Sequence, residues 1–179
     1  AEKNRLHDEL HRQTARQIDM LNDWLQKLTK TDDPKEKREL LRHIVVVGAY
    51  LKRRNNLILV NEQDGVIKEE ELNLSIQEMI KNLQLAGIHC AGTVEFEIDL
   101  PTDVAMKLFD FYEYVVENAF DGLGSLLARF FYRDNSFYAC IDAVCSLNLT
   151  KLQNEQIFVS VSDKNCYTLS LKIEGGDGR

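Results

Sequence analysis

Residues 14–28 read TARQIDMLNDWLQKL, and this stretch determines how the first part of the chain folds. Together with the residues before it, it carries a side-chain pattern that repeats at alternating steps of four and three, which predicts a helix with a heptad seam. The seam residues are His7, His11, Thr14, Ile18, Leu21, Leu25 and Leu28. The second half of the seam is apolar and the first half is polar. We therefore expect tight packing near Leu21 to Leu28 and looser packing toward His7.

A second helix follows after a short turn. Thr31-Asp32-Asp33-Pro34 ends the first helix, and either Asp32 or Asp33 is expected to cap the second, with Pro34 in its first turn. Because the connection is short, we expect the helices to be antiparallel. The second helix runs on through Leu57 to Val60 and carries an apolar stripe of Leu40, Ile44, Val47 and Leu51, which Leu41 and Val45 widen. One partner helix cannot cover so wide a stripe, so we predict a homodimer in which two hairpins form a four-helix bundle.

Gln63-Asp64-Gly65 marks a change in composition that we interpret as the hinge between two domains, 1–63 and 68–179. A third helix is predicted from Glu69 to Ala86, with Gly87 closing it. Apolar and acidic residues then alternate from Val94 to Leu100, which predicts a strand buried on one side.

A fourth helix and two hairpins complete the prediction. The helix begins at Pro101-Thr102-Asp103 and runs to about Phe120, by its periodicity. The hairpins join 126–132 to 137–145 and 157–161 to 167–173. The predicted fold class is α+β: a long antiparallel helical hairpin followed by an α/β sandwich, whose mainly antiparallel sheet is covered by helices on one face.

Charge and composition exclude several classes of protein. The 179 residues carry 22 Lys and Arg against 29 Asp and Glu, a net charge of −7 at pH 7, so we do not expect nucleic acid as a partner. No apolar run is long enough for a membrane span, and Ala1-Glu2-Lys3-Asn4 does not resemble a signal peptide, so we expect a soluble chain. The four cysteines have no metal-ligand spacing and are expected to be reduced thiols of a cytosolic protein.

Arg5-Leu6-His7-Asp8-Glu9-Leu10 is the strongest chemical feature. A neutral imidazole is a nucleophile near pH 7, and a neighbouring carboxylate can orient the ring and accept its proton. Two alternatives stand beside this interpretation. The stretch could be the polar, frayed end of a bundle, or His7 and His11, four residues apart, could form a two-point metal site.

The whole order of elements, together with His7-Asp8-Glu9-Leu10, resembles the cytoplasmic core of a two-component sensor histidine kinase. The resemblance is to the type with a His-Asp-x-Leu phosphoacceptor motif followed by an ATPase domain of the GHKL type. It implies that His7 accepts the γ-phosphoryl group of ATP, that Asp8 acts as the base, and that the receiver domain of a response regulator takes the phosphoryl group. The family's Gly-Gln after the motif is His11-Arg12 here.

The same resemblance implies ATP and Mg²⁺ as cofactors. The family's Glu-x-x-x-Asn-Ala motif corresponds to Tyr114-Val115-Val116-Glu117-Asn118-Ala119, so Asn118 would bind the nucleotide and its Mg²⁺. Tyr114 stands in the Glu position, and Asp121 and Gly122 stand where basic residues are usual. A hydrogen-bonded core amide is the alternative role for Asn118.

Glycines that could surround a triphosphate are scarce in the second domain. Between Thr93 and Glu174 there are only Gly122 and Gly124, and Asp142-Ala143-Val144-Cys145 replaces the family's Asp-x-Gly-x-Gly. A second glycine box and a lid are also missing. We interpret 167–173 as the last strand of the domain.

The basic cluster Lys52-Arg53-Arg54, late on the second helix, could meet an acidic partner or a phosphate. The alternative is ordinary solvation near a helix C-terminus.

Two functions are therefore expected. The first is the signalling core of a sensor histidine kinase, a homodimer that autophosphorylates on His7 and is preceded by a sensor before Ala1. It would be cytoplasmic, or the cytosolic part of a membrane-anchored sensor. The second is a kinase-like dimeric scaffold that no longer binds ATP, in which His7 is phosphorylated by another kinase or is structural.

Overall fold

Two long helices begin the fold, α1 (Glu2–Lys30) and α2 (Pro34–Asn61). The computed structural model describes the backbone of residues 2–61 and 65–175 and the side chains of residues 14–59 and 65–175. Asp33 caps α2, because its Oδ1 accepts a hydrogen bond from the Lys35 N–H at 2.9 Å. Pro34 is the first residue of α2, as the sequence predicts.

The helices form an antiparallel pair. The rings of Trp24 and His43 lie 5.2 Å apart, so α2 runs back along α1 after the turn. His43 thus packs within the hairpin. Part of the apolar surface of both helices stays exposed. Ile18 and Leu25 in the seam of α1, and Leu41 and Val45 in the stripe of α2, are 44–47% exposed in the single chain.

The chain divides into two compact units, Ala1–Lys52 and Arg53–Arg179. This boundary lies inside α2, whereas the sequence places the hinge at 63–65. The last two turns of α2 therefore belong to the second unit. The assignment of separate functions to 1–63 and 68–179 stays a prediction.

After the short strand β1 (Val66–Ile67), α3 (Glu69–Leu85) ends in a Schellman motif at Gly87. The Ile88 N–H donates to Leu83 O at 3.0 Å and the Gly87 N–H to Gln84 O at 2.9 Å. Gly87 has a φ of +87°, a conformation that favours glycine.

The strand predicted at Val94–Leu100 is wrong in its position. The structure has β2 at His89–Glu95 and a separate two-residue strand, β3 (Leu100–Pro101), which pairs with β1. Between them the chain turns at Glu97, whose φ is +57° and whose N–H donates to Glu69 Oε2 at 2.9 Å. The alternation of apolar and acidic residues continues through this turn, so the pattern does not show where the strand ends.

The fourth helix, α4 (Thr102–Ala119), is confirmed. It leads into β4 (Leu123–Arg133) and β5 (Ser136–Cys145), then a 3₁₀ helix (Leu149–Leu152), then β6 (Ile157–Asp163) and β7 (Cys166–Glu174). Both predicted hairpins are present.

These strands form a five-stranded sheet in the order β2-β4-β5-β7-β6. β2 pairs with β4 in parallel, and the other three pairings are antiparallel. Helices α3 and α4 contact the strands on one face, where alternate side chains such as Phe130 and Ile141 are buried. The predicted α+β class, with a mainly antiparallel sheet covered by helices on one face, is confirmed. Among the described residues, none of the helices has the length and apolar character to span a bilayer.

Candidate functional site

The predicted phosphoacceptor His7 and base Asp8 lie in α1. Their side chains and that of His11 lie outside the described residues, so the roles of all three stay predictions.

Asn118 lies in the last turn of α4, half-buried. Its Nδ2 donates to Tyr114 O, one turn earlier, at 2.8 Å. This bond holds the amide along its own helix. The geometry matches the alternative role of Asn118, a hydrogen-bonded amide in the helix layer.

Gly122 permits close packing of backbone against backbone. A Cβ at this position would lie 2.6 Å from Ser146 Oγ and 2.9 Å from the Leu147 nitrogen. The Ser146 N–H also donates to Gly122 O at 2.9 Å. Residues 146 and 147 thus occupy the space that the missing side chain leaves.

The short segment between β5 and β6 packs beside α4. Asn148 begins its 3₁₀ helix by accepting the Thr150 N–H at 3.0 Å and the Thr150 hydroxyl at 2.7 Å. Leu149 and Leu152 are buried, and this 3₁₀ helix contacts α4 and β6. The region that follows β5 is therefore filled by apolar side chains of the same chain.

Asp142, in the segment that replaces the family's glycine box, lies on the face of the sheet away from the helices. Its neighbours Ile141 and Ala143 are buried, and successive side chains of a strand point to opposite faces. Asp142 Oδ1 accepts the Thr168 hydroxyl at 2.6 Å and Oδ2 accepts Arg129 Nη2 at 2.9 Å. Both carboxylate oxygens are thus bound within the sheet.

The structure therefore does not bring Asn118, Gly122 and Asp142 together as a nucleotide site. Asn118 is bound along α4, Gly122 is packed against Leu147, and Asp142 faces the other side of the sheet. Within the part of the chain that the structure describes, no three His, Cys, Asp or Glu side chains are placed to hold a metal ion. These residues do not fit a bound Mg-ATP.

Glu113 is a chemical feature that the sequence reasoning missed. Its side chain is completely buried, and both carboxylate oxygens are without a hydrogen-bond partner in the described structure. Burial raises the pKa of Glu113 well above its usual range, and the charges of Glu117 and Asp110 raise it further. Burial therefore favours the protonated, neutral form of this carboxyl group.

Two residues of the basic cluster late on α2, Arg53 and Arg54, form ion pairs with acidic residues of α3 and α4. Arg53 forms an ion pair with Glu78 of α3. Arg54 is buried and forms an ion pair with Asp110 of α4, with 3.0 Å between Nε and Oδ1. These two arginines are therefore structural in the second unit, and Arg54 is not the solvated residue of the alternative interpretation.

The chain is similar in structure to histidine kinase domains. One is the Acinetobacter baumannii histidine kinase AdeS, with 12% identity, a TM-score of 0.45, and coverage of 90% of this chain and 96% of that chain. Another is the histidine kinase domain of the Erythrobacter litoralis EL346 blue-light-activated kinase, with 8% identity, a TM-score of 0.48, and coverage of 89% and 94%. A bacterial phosphotransferase has 13% identity, a TM-score of 0.47, and coverage of 88% of both chains.

No protein-family model matches the sequence, and no curated protein matches it. With identities of 8–13% and TM-scores below 0.5, the function of this chain has to be inferred from its own residues.

Proposed function

We propose that this chain is a dimeric protein of two-component signalling that carries a phosphoryl group on His7, and that its α/β unit does not bind Mg-ATP. The proposal rests on the resemblance carried by His7-Asp8-Glu9-Leu10 and on the kinase-like arrangement of the helices and the sheet. The single observation that favours it over an autophosphorylating kinase is the packing of Gly122 against Ser146 and Leu147.

That packing matters because a triphosphate needs backbone N–H groups that it can approach closely, usually from glycines in an open loop. In this chain the backbone at Gly122 is covered by residues 146 and 147, and Leu149 and Leu152 are buried next to α4. A nucleotide would have to displace these residues. We therefore infer that the phosphoryl donor is another kinase or a small phosphodonor.

The chemistry on His7 is a double displacement. The neutral imidazole nitrogen attacks phosphorus, an N–P bond forms, the bond from phosphorus to the donor oxygen breaks, and Asp8 accepts the proton of the ring. In the second step the carboxylate of an aspartate in a response-regulator receiver domain attacks. The N–P bond breaks, an O–P bond forms, and the ring recovers its proton.

The exposed part of the hairpin supports the dimer. Ile18 and Leu25 of α1 and Leu41 and Val45 of α2 are apolar and nearly half exposed in the single chain. Pairing with a second hairpin would remove this surface from water, at about 25 cal/mol for each Å² of apolar area. We propose that this surface forms the four-helix bundle.

An autophosphorylating histidine kinase is the second candidate. Asn118 favours it, because the amide lies on α4 at the position where the resemblance implies a ligand for Mg²⁺. In that case a nucleotide would compete with the hydrogen bond from Asn118 to Tyr114 O.

Two experiments test the proposal. In the first, Mg-ATP is titrated into the purified chain by calorimetry, and we expect no binding at micromolar nucleotide. In the second, the chain is incubated with ATP alone, with a small phosphodonor, and with an active heterologous histidine kinase, and acid-labile phosphate is mapped. We expect label on His7 in the second and third incubations only.

Matched variants sharpen the result. His7→Gln should remove the label, and His11→Gln should keep it. Asn118→Ala should leave donor-dependent labelling unchanged, because the proposal gives Asn118 no role in the reaction. Labelling with ATP alone that is lost in Asn118→Ala would establish the kinase instead, and label that persists in His7→Gln would contradict both candidates.

A further inference from the structure

Side-chain amides lie along both outer strands of the five-stranded sheet. The outer strands are β2 and β6. An outer strand presents backbone N–H and C=O groups that have no neighbouring strand, and these groups can pair with a strand of another molecule. The sheet can therefore pair with another molecule through an outer strand only if the backbone groups of that strand are not already hydrogen-bonded.

At β2, two glutamines of α3 donate hydrogen bonds to backbone carbonyls of the strand. Gln84 Nε2 donates to Cys90 O at 2.9 Å, and Gln77 Nε2 donates to Gly92 O at 3.0 Å. Backbone carbonyls two residues apart in a strand point to the same side, so both belong to the edge that faces away from β4. The glutamines are seven residues apart, about two helical turns, so they lie on the same side of α3.

Gly92 allows α3 to come close enough for this contact. A Cβ on Gly92 would collide with Ile80 Cδ1 and lie 3.2 Å from Ala128 O, so the Ile80 side chain would have to move. The Gln77 amide is also oriented by its own helix, because Nε2 donates to Asn73 Oδ1 at 3.3 Å. The two amides are thus held at the edge by the packing of α3.

The other edge is occupied in a similar way. Gln153 Oε1 accepts the Val159 N–H at 3.4 Å, and Asn154 Oδ1 accepts the Ile157 N–H at 2.8 Å. Ile157 and Val159 are again two residues apart, on the side of β6 that faces away from β7. Side-chain amides therefore form hydrogen bonds with backbone groups at both edges. They donate to carbonyls of β2 and accept from N–H groups of β6.

We propose that Gln77 and Gln84 block the edge of β2 against pairing with the β2 edge of a second copy of this chain. Two copies related by a two-fold axis would place their β2 strands antiparallel, each using the carbonyls of Cys90 and Gly92 as acceptors. The amides of α3 already use these acceptors. Self-association through the sheet is thereby suppressed, and this inference does not depend on the proposed phosphotransfer.

The test uses the double variant Gln77→Ala/Gln84→Ala in the full chain. Alanine keeps the helix propensity of α3 and removes both amides without adding a large apolar group. We expect sedimentation velocity to show species of at least twice the mass of the wild-type protein at the same concentration, since a wild-type dimer would offer two β2 edges for pairing. Lys81→Ala, which shortens an exposed side chain between the two glutamines, is the control and should keep the wild-type mass.

A further substitution locates the new contact. Thr93→Lys places a charge on exposed β2 and should return the double variant to the wild-type mass, because an edge lysine opposes strand pairing. If the double variant does not fold, as judged by circular dichroism, the single variants Gln77→Ala and Gln84→Ala each free one carbonyl and should show a smaller increase. A wild-type mass for all folded variants, or an increase that Thr93→Lys does not reverse, would overturn the proposal.

Discussion

Arg54 and Asp110 form a two-point ion pair within the second unit. Nε of Arg54 lies 3.0 Å from Oδ1 of Asp110, and Nη2 lies 3.4 Å from Oδ2. The Arg54 side chain is 3% exposed and that of Asp110 is 16% exposed, so water does little to weaken their attraction. The pair attaches the last turns of α2 to α4.

Breaking this pair should be costly. Arg54→Met leaves the Asp110 carboxylate without the guanidinium, and we expect the free energy of unfolding to fall by about 3 kcal/mol. Asp110→Leu should have a similar effect, and the double variant should lose much less than the sum of the two. Urea unfolding of the four proteins measures this coupling. Arg42→Met, which breaks an exposed pair with Glu39, is the control and should lower stability by at most about 0.5 kcal/mol.

Glu113 should make stability depend on pH. Its pKa in the folded chain is raised by burial, whereas the unfolded chain ionises near the ordinary value of about 4.3. The folded state then binds more protons, so its stability falls as the pH rises above that value, by up to about 1.4 kcal/mol for each pH unit. Glu113→Gln lacks this loss, and its advantage over the wild type should widen from pH 4 to pH 8.

The control for Glu113→Gln is Glu70→Gln, which removes one negative charge from the exposed side of α3. Chemical denaturation across this pH range provides the comparison. Parallel curves for the wild type and Glu113→Gln would contradict a raised pKa for Glu113 in the folded chain.

Gly122 and Gly124 should respond differently to alanine. A Cβ at Gly122 would lie 2.7 Å from Leu147 Cγ, whereas at Gly124 the nearest atom is Val144 O at 3.5 Å, an ordinary contact. Gly122→Ala should lower the melting temperature and cost about 1–3 kcal/mol, because the segment after β5 must move. Gly124→Ala should change stability by less than about 0.5 kcal/mol. Equal effects of the two substitutions would mean that residues 146 and 147 can shift freely.

Leu25→Asp should separate the proposed dimer. In the single chain Leu25 is 47% exposed, so the substitution should leave the helical content of the monomer nearly unchanged. In the bundle it would bury an unpaired carboxylate, and we expect the dissociation constant to rise by about 100-fold or more. Sedimentation equilibrium measures this change, with Gln26→Asp on an exposed position as the control. A wild-type chain that is monomeric at micromolar concentration would contradict the dimer itself.

The parts of the fold that the sequence predicted correctly are mostly marked by residues that cap helices or form turns. Asp33 and Pro34 locate the start of α2, and Gly87 locates the end of α3, because each residue supplies a conformation or a hydrogen bond that the turn needs. Asp134 and Asn135, both with positive φ, form the tight turn between β4 and β5.

The sequence did not predict the position of β2 or the burial of Glu113, because both depend on tertiary contacts. β2 contains Ala91 and Gly92, so its strand pattern is weak, while the stronger alternation after Val94 runs through the turn at Glu97. Glu113 is buried because α4 is covered on more than one face. A single polar residue in a helix pattern does not show this. For the proposed site, the sequence showed that glycines were missing, and only the structure showed what fills the space around Gly122.

The parallel pairing of β2 with β4 has a consequence for the order of folding. His89 pairs with Ser125, 36 positions later, so the two strands are joined by a long connection that contains α4. The hairpin of β4 and β5 closes a loop of two residues, so its entropy of closure is far smaller. We therefore expect β4 and β5 to pair early in folding and β2 to join β4 later. Until β2 joins, one edge of β4 would be unpaired, and the arrival of α3 and β2 together would protect it.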